Sequence, residues 1–571
     1  MLAPLPNLAT NRKRRIDGRA RMPQSVCLVS GLQLMLIAPR HRVLTFAVAL
    51  LGLCLHLLVG CSSEAPVRPA DSYAFALGSD PETFDPGSMS GSVEGDVAYQ
   101  LFEGLLSPAA DDGPPEPGVA LNYDISPDGR TYTFHLRSDA RWSNGDAVTA
   151  ADFDYSWRRV LKHKVAANYI TLFRLIRGAV AYEADPTNEA LLGLRVAGPE
   201  TLIVELEQPV AYFPELVSFY PMFPVHRGSV EQWGEQDAFA PDHIVSNGAF
   251  RMTAYLRRLR IDATQNPNYW GRAGVAVNRL SMLIIEDEAA RVNAFDDGRL
   301  DWVNQLPSNQ ILSLRGRDTF RRTDLLGTYF LRFNVTKPPF NDSRVRHALS
   351  LAVDRELLCR CTLSDLYKPA SGMVPELPGY PAGEGVRFDP AEARRLLAQA
   401  GFTGGKGFPA VSYLYNTSEN HKIVAEGLQD IWKSELGIEV QLVNQEWKVY
   451  LDAMDRLDFD IARGGWIGDY VDPNTFLDLW RTGDENNHTG WSNADFDGLI
   501  GKAAVTADPK ERLSVLRAAE AVLMRDLPVM PIYNYAEFHL LRGDVEGWQA
   551  NLRDVHLVRH IRKRPAATGG P

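Results

Sequence analysis

The sequence predicts an α/β protein with mixed sheets, built from more than one domain. Three observations predict it. Strand-like and helix-like segments are interspersed along the whole chain rather than gathered into separate blocks. At 571 residues the chain exceeds what one hydrophobic core usually supports, so two or three domains are expected. Apolar residues make up 45% and charged residues 23%, with no low-complexity tract, heptad or internal repeat, which is the composition of a folded globular chain.

The elements follow from local chemistry. Residues 131–136 (TYTFHL) and 201–206 (TLIVEL) alternate apolar and polar side chains, as half-buried strands do, and Asp128-Gly129 supplies a turn before the first. Asp389-Pro390 caps and opens a helix that runs through Ala400 and closes at Gly401. Asp508-Pro509 opens another through Asp526, ahead of Pro528. Residues 383–386 and 401–407 read as surface loops.

The N-terminal part has a different character. Residues 43–59, VLTFAVALLGLCLHLLV, are almost entirely apolar and follow Arg40, His41 and Arg42. Such a stretch is short for a spanning helix and suits the core of a signal peptide. It ends in Leu58-Val59-Gly60-Cys61, which resembles the lipobox of bacterial lipoproteins. That resemblance implies cleavage before Cys61, a diacylglycerol on its sulfur, and a protein tethered to the cell envelope at the periplasmic or cell-surface side. An uncleaved signal anchor is the alternative. Residues 1–34 fit neither reading, and initiation at Met35 would give a signal of ordinary length.

The first 61 residues carry eight Arg or Lys and one acid, so the remainder holds 52 bases against 70 acids, a net charge of −18. A body this acidic argues against nucleic acid as a partner, because duplex affinity rests on cations that neutralise phosphates. Beyond Cys61 the only cysteines are Cys359 and Cys361. One intervening residue disfavours an unstrained disulfide and is no zinc pattern, so they read as two free thiols at a helix end. No Gly-x-Ser-x-Gly elbow, His-Glu-x-x-His helix or Walker loop is present, and no cofactor or metal is expected.

Several motifs occur in one order: Leu101-Phe-Glu-Gly-Leu105, Ser126-Pro-Asp-Gly-Arg130, Trp142-Ser-Asn-Gly-Asp146, Ser246-Asn-Gly-Ala-Phe250, Asn266-Pro-Asn-Tyr-Trp270, and Phe333-Asn334 with Pro339-Phe-Asn-Asp-Ser-Arg-Val-Arg346. Together they resemble the bacterial extracellular solute-binding family 5. Tyr415-Asn-Thr-Ser-Glu-Asn-His-Lys422, Gln441-Leu-Val-Asn-Gln-Glu-Trp-Lys448 and Phe459-Asp-Ile-Ala-Arg-Gly-Gly-Trp-Ile-Gly-Asp-Tyr470 resemble its oligopeptide-binding branch, within a likeness that covers residues 72–555. The resemblance implies a type II periplasmic-binding architecture, two hinged lobes plus an extra domain. Lobe I would combine 62–92, 217–320 and 536–571; the extra domain would be 93–216, and lobe III 321–535. It further implies a monomeric binding lipoprotein that captures short peptides and delivers them to the permease subunits of an ABC transporter. A metal-chelate or haem receptor, an envelope peptide sensor and a hydrolase are the competing readings.

A receptor for many peptides must rely on what all peptides share, namely backbone, amino group and carboxylate. By resemblance, Asp469 accepts the N-terminal ammonium; a solvent-facing or helix-capping Asp is the bland alternative. Arg463 and His421 would meet the carboxylate, and His421 could equally be a surface residue in a loop. A further Arg expected seven residues after Trp447 is Met454, so one carboxylate anchor is missing. Trp447 and Trp466 would form apolar walls or belong to the core. Gly465 lies in the strand-like segment 464–467, which would flank the site together with 78–83, where Asp80 sits. Tyr169 and Tyr533 are candidate pocket hydroxyls.

Overall fold

The computed structural model of the chain describes residues 69 and 71–564, apart from 164–168, 381–382 and 384–386. The apolar segment 43–59, Cys61 and most of the loop 383–386 lie outside the described residues. Among the described residues no helix is long and apolar enough to cross a membrane.

The strands in the N-terminal half are β1 (Ser72–Leu77), β2 (Leu106–Ser107), β3 (Glu116–Pro117), β4 (Ala120–Ile125), β5 (Thr131–Leu136), β6 (Leu194–Val196), β7 (Thr201–Glu205), β8 (Phe250–Leu256), β9 (Arg260–Gln265) and β10 (Arg279–Ile284). They are followed by β11 (Trp302–Val303), β12 (Phe320–Phe333), β13 (Lys368–Pro369), β14 (Val411–Asn416), β15 (Val440–Gln445), β16 (Ile461–Ile467), β17 (Val529–Leu541), β18 (Val545–Glu546) and β19 (Arg562–Lys563). One mixed sheet has the order β15-β14-β16-β12-β17-β11-β1-β10-β9-β8, with β13 also on β17. A second, antiparallel sheet has the order β4-β5-β7-β6, and β2 with β3 and β18 with β19 form short ribbons. The alternation read at 131–136 and 201–206 is realised in β5 and β7, whose burial alternates residue by residue. The described chain is therefore α/β with mixed sheets.

Two long strands join the halves of the main sheet. The first part of β12, Phe320 to Asp324, pairs antiparallel with the end of β17, whereas its later part pairs with the start of β17 and with β16. Between these stretches, after Asp324, the register shifts and Leu325, Leu326 and Gly327 face Tyr535. Such a bulge interrupts the ladder and bends the strand.

Each half carries a core on both faces of its strands. Tyr329, Leu331 and Phe333 of β12 point into a cluster with the helices Ser343–Leu351, Pro390–Gln399 and Glu419–Leu436. Phe330 points the other way, into a cluster with the helices Ala494–Val505 and Pro509–Asp526. In β1, Tyr73, Phe75 and Leu77 join the largest cluster while Ala74 and Ala76 join another. A strand covered on both faces reads as a continuous apolar run, as SYAFAL does. The two Asp-Pro helices form as expected: Asp389 and Asp508 accept from the backbone N–H of Glu392 and Glu511. Cys359, buried, and Cys361, exposed, are free thiols on a π-helical turn, Leu358–Thr362.

Three of the sequence motifs meet at one buried carboxylate. Glu103 of Leu101-Phe-Glu-Gly accepts from Tyr269 Oη at 2.7 Å, Trp270 Nε1 at 2.6 Å and Arg559 Nη1 at 2.6 Å. Its backbone exchanges two hydrogen bonds with the Asn247 side chain. Gly248 beside it donates to Leu101 O at 2.8 Å, and a Cβ there would collide with the Leu101 and Phe102 backbone. These motifs hold the C-terminal segment to the N-terminal half and carry no ligand chemistry. Breaking a buried ion pair from one side leaves an uncompensated charge, which costs about 3–5 kcal/mol. Glu103→Ala is therefore expected to lower the urea midpoint by the equivalent of that amount, and a change under about 0.5 kcal/mol would show the network to be dispensable.

Candidate functional site

β16 and the turn after it carry most of the candidate residues. Arg463 lies on the face of β16 that also bears Gly465, opposite Leu331 and Tyr329 of β12. Its Nη2 donates to Tyr535 Oη at 2.8 Å and its Nη1 reaches Asn416 Oδ1 at 3.4 Å, while the guanidinium sits 5.1 Å from the centre of the Tyr329 ring. Among the described residues no carboxylate pairs with it, and its Nε is buried without a partner. Near it, Tyr329 Oη, Tyr413 Oη and His421 Nδ1 are buried without a hydrogen-bond partner among the described residues. A native interior rarely leaves so many polar atoms unsatisfied in one place unless something else satisfies them. Gly465 leaves room here, because a Cβ would push aside the Tyr535 hydroxyl and the Arg463 guanidinium.

His421 stands in the first turn of the helix Glu419–Leu436, not in a loop, with its ring 5.6 Å from that of Tyr329. Burial, and then the adjacent Arg463 charge, push it down to about 3, so the imidazole is neutral and acts as a hydrogen-bond donor or acceptor rather than as a cation. Tyr533 is buried, stacks on Tyr329 at 4.7 Å and packs at a tilt against Tyr367 at 4.8 Å. The hydroxyl that reaches Arg463 belongs instead to Tyr535. Met454 is buried against Leu414 and Ala462 in a small apolar cluster and offers no anchor.

Beyond the end of β16, Asp469 lines a cavity of about 310 Å³ with Asp96, Tyr99, Tyr169, Tyr220 and Asp554. Its carboxylate has no hydrogen-bond or ion-pair partner among the described residues and is exposed to the cavity solvent. The enclosing protein nevertheless hinders ionisation, and this desolvation raises its carboxyl to about 6. Asp96 is pushed well up, first by burial and then by Asp554 and Glu94. Arg553, the base of this cavity, is already paired with Glu215 at 3.4 Å. The cavity thus holds excess negative charge. Tyr169 packs edge-on against Phe219 at 5.2 Å.

Asp472, three residues on, is the structural aspartate: it caps Asn474 N and takes a bidentate pair from Arg512 at 2.6 and 2.9 Å. Trp466 is half-buried against the core and donates to Thr475 Oγ1 at 3.2 Å, and Trp447 is exposed and stacked on Tyr450.

Asp80 is not brought into this group. Its two oxygens accept from Arg258 N, and Oδ1 also from Tyr255 Oη, all at 3.0 Å, so it fastens the β8–β9 hairpin. Residues 78–83 are likewise not a strand; β1 ends at Leu77 and the chain bends through Pro81. A larger cavity, about 730 Å³, opens beside the bulge of β12, but its Asp324 and Lys368 are paired with each other. Sequence reasoning missed Tyr535, Tyr329, Asn416 and Asp96. Tyr535 was within reach, since it shares the face of Tyr533 at strand period two.

The model for the bacterial extracellular solute-binding proteins, family 5 Middle, matches residues 114–488. The oligopeptide-binding protein OppA of Bacillus subtilis is 33% identical over 481 residues, which cover 82% of this chain and 88% of that protein. The unliganded open form of MppA, a periplasmic murein tripeptide binding protein, superposes with a TM-score of 0.80 at 31% identity, covering 87% of this chain and 98% of the other. Haemophilus influenzae OppA in complex with the peptide RPPGFSPFR superposes at 0.67, also at 31% identity, covering 87% and 99%.

Arg463 carries a charge that nothing in the described structure offsets. Arg463→Met is expected to leave the thermal midpoint of the unliganded protein unchanged or raised, because an apolar group replaces an uncompensated cation. A loss above about 1 kcal/mol would assign the guanidinium to the fold instead. The matched region, the identity to its relatives and the shared fold establish that the chain belongs to the bacterial extracellular solute-binding proteins, family 5, a family of binding proteins and not of enzymes.

Proposed function

We propose that the protein captures short peptides in the cleft beside β16 and delivers them to the permease of an ABC transporter. One observation carries this reading: two opposite ionic groups, Asp469 and Arg463, each without a protein counter-ion, lie six residues apart along one strand and its following turn. Leaving a charge unpaired in a partly desolvated site is costly, so the ligand supplies both partners. A peptide is such a zwitterion, with its ammonium at Asp469 and its carboxylate at Arg463, assisted by neutral His421 and by Tyr535. Six residues at about 3.3 Å each set an upper limit near 20 Å, which an extended peptide of about six residues spans. Gly465 and its strand neighbours would offer main-chain hydrogen bonds to the peptide backbone, whereas Trp466 and Trp447 would provide apolar walls. Tyr169 would line the amino-terminal end; Tyr533 would support the pocket from beneath.

The relatives fit this reading, being named for oligopeptides, dipeptides and murein peptides. The better superposition on an unliganded open form than on a peptide complex fits a cleft that closes on its ligand. The movement would run between lobe I, from 62–92, 217–320 and 536–571, with the extra domain 93–216, and lobe III, 321–535. A lipid on Cys61 would hold the monomer at the envelope near its permease.

Calorimetry with tri- to pentapeptides tests the reading. Asp469→Asn should weaken peptides with a free amino terminus by about tenfold or more, the value of a lost charge-assisted hydrogen bond, while N-acetyl peptides lose little further. Equal affinity of variant and wild type would remove Asp469 from the site, and heat only with a metal complex or haem would defeat the peptide reading.

The pH dependence has a definite sign. The ammonium binds the carboxylate and not the carboxylic acid, and Asp469 protonates near pH 6. Affinity for free-amino peptides should therefore be full at pH 7 to 8 and fall as pH drops through about 6, and this fall should vanish in Asp469→Asn. A flat wild-type profile between pH 5 and 8 contradicts the assignment.

A further inference from the structure

Behind the cleft, two histidines and a carboxylate converge from distant parts of the chain. His539 comes from β17, while Asp554 and His556 come from the segment that follows β18. Both imidazole Nε2 atoms approach the same oxygen, Asp554 Oδ1, His556 at 2.8 Å and His539 at 3.4 Å, and one donor atom from each of the three residues falls within 4.8 Å of the others. Metal–nitrogen and metal–oxygen bonds of about 2.0–2.2 Å at tetrahedral angles place ligand atoms about 3.4 Å apart. The observed separations bracket that value, so an ion fits after small side-chain adjustments.

We propose that His539, His556 and Asp554 form a binding site for a divalent transition-metal ion, zinc or nickel in preference to calcium or magnesium. Two imidazoles and one carboxylate are the donor set that borderline metals take, whereas calcium and magnesium require mostly oxygen. The surroundings suit such a site. His539 is fully buried, and its Nδ1 has no partner among the described residues. Trp548 stacks on His556 at 4.5 Å, and Trp302 lies 4.8 Å from the same ring, so the two indoles wall the site from water. Asp554 is held with a positive φ of 54°, a conformation that a non-glycine residue adopts at a cost. On its other side Asp554 lines the same cavity as Asp469, which leaves a coordination position for water open toward the cleft. An ion here ties the C-terminal segment to β17, one of the two strands that join the halves of the sheet.

The test uses untagged purified protein, treated with chelator and then titrated with zinc chloride by calorimetry, with nickel chloride followed by quenching of tryptophan fluorescence. One ion per chain is expected in the wild type. His556→Ala and Asp554→Asn should each weaken it by at least about 10–100-fold, since loss of a direct ligand costs no less than loss of an outer-shell partner. Both side chains are largely enclosed, so the far-ultraviolet circular dichroism and the metal-free thermal midpoint of each variant report whether it has folded. His226→Ala, on a surface pair with Asp146, should bind zinc as wild type does. Absence of saturable zinc and nickel binding by the chelator-treated wild type, or binding that survives in both His556→Ala and Asp554→Asn, overturns the site.

Discussion

The structure depends on the pairing of β12 with β17. These are the two strands that run through both halves of the main sheet, and their register breaks only at the bulge after Asp324 and again after Tyr329. Regular pairing on either side makes each half stiff, and the bulge is where a ladder can bend at small cost. The same pair underlies the candidate site. Tyr329 and Tyr533 stack across the ladder near Arg463, and Tyr535, at the bulge, accepts a hydrogen bond from the guanidinium. In the proposed reading, the bulge that lets the halves move also lies beneath the guanidinium that receives the peptide carboxylate.

What the site lacks is as informative as what it contains. Several buried charges are paired within the fold, Arg159 with Asp85, Arg512 with Asp472 and Arg559 with Glu103, and the buried Arg346 and Arg355 are held by backbone carbonyls. Arg463 and Asp469 depart from that habit, each in a place where an unpaired ion is unfavourable. A site that leaves one cation and one anion open within six residues of each other is complementary to a ligand with the reverse order of charges.

Much of the architecture could be read from the sequence because it rests on local rules. The alternation of 131–136 and 201–206, and the Asp-Pro openings at 389 and 508, each encode an element within a dozen residues. The position of Asp469 in Gly468-Asp469-Tyr470 was legible for a different reason, the likeness of the surrounding motif. Long-range partners were not legible. Asp80 looks like a site carboxylate in isolation, but the β8–β9 hairpin, about 175 residues away, consumes both its oxygens. Glu103, Asn247 and Trp270 read as family signatures, and only the fold shows that they satisfy one another around Arg559. Tyr533 was nominated as a pocket hydroxyl, and the hydroxyl that meets Arg463 is that of Tyr535, two residues on and at the register shift of the ladder.

The central claim is that the two open charges receive the two ends of one peptide. A crystal structure with a bound tripeptide or tetrapeptide tests it most directly. The account predicts closed halves, the ligand ammonium within hydrogen-bonding distance of the Asp469 carboxylate, and the terminal carboxylate reached by Arg463 directly or through one water. A closed complex in which Asp469 faces bulk solvent, or in which Arg463 contacts no ligand atom or bridging water, would contradict it.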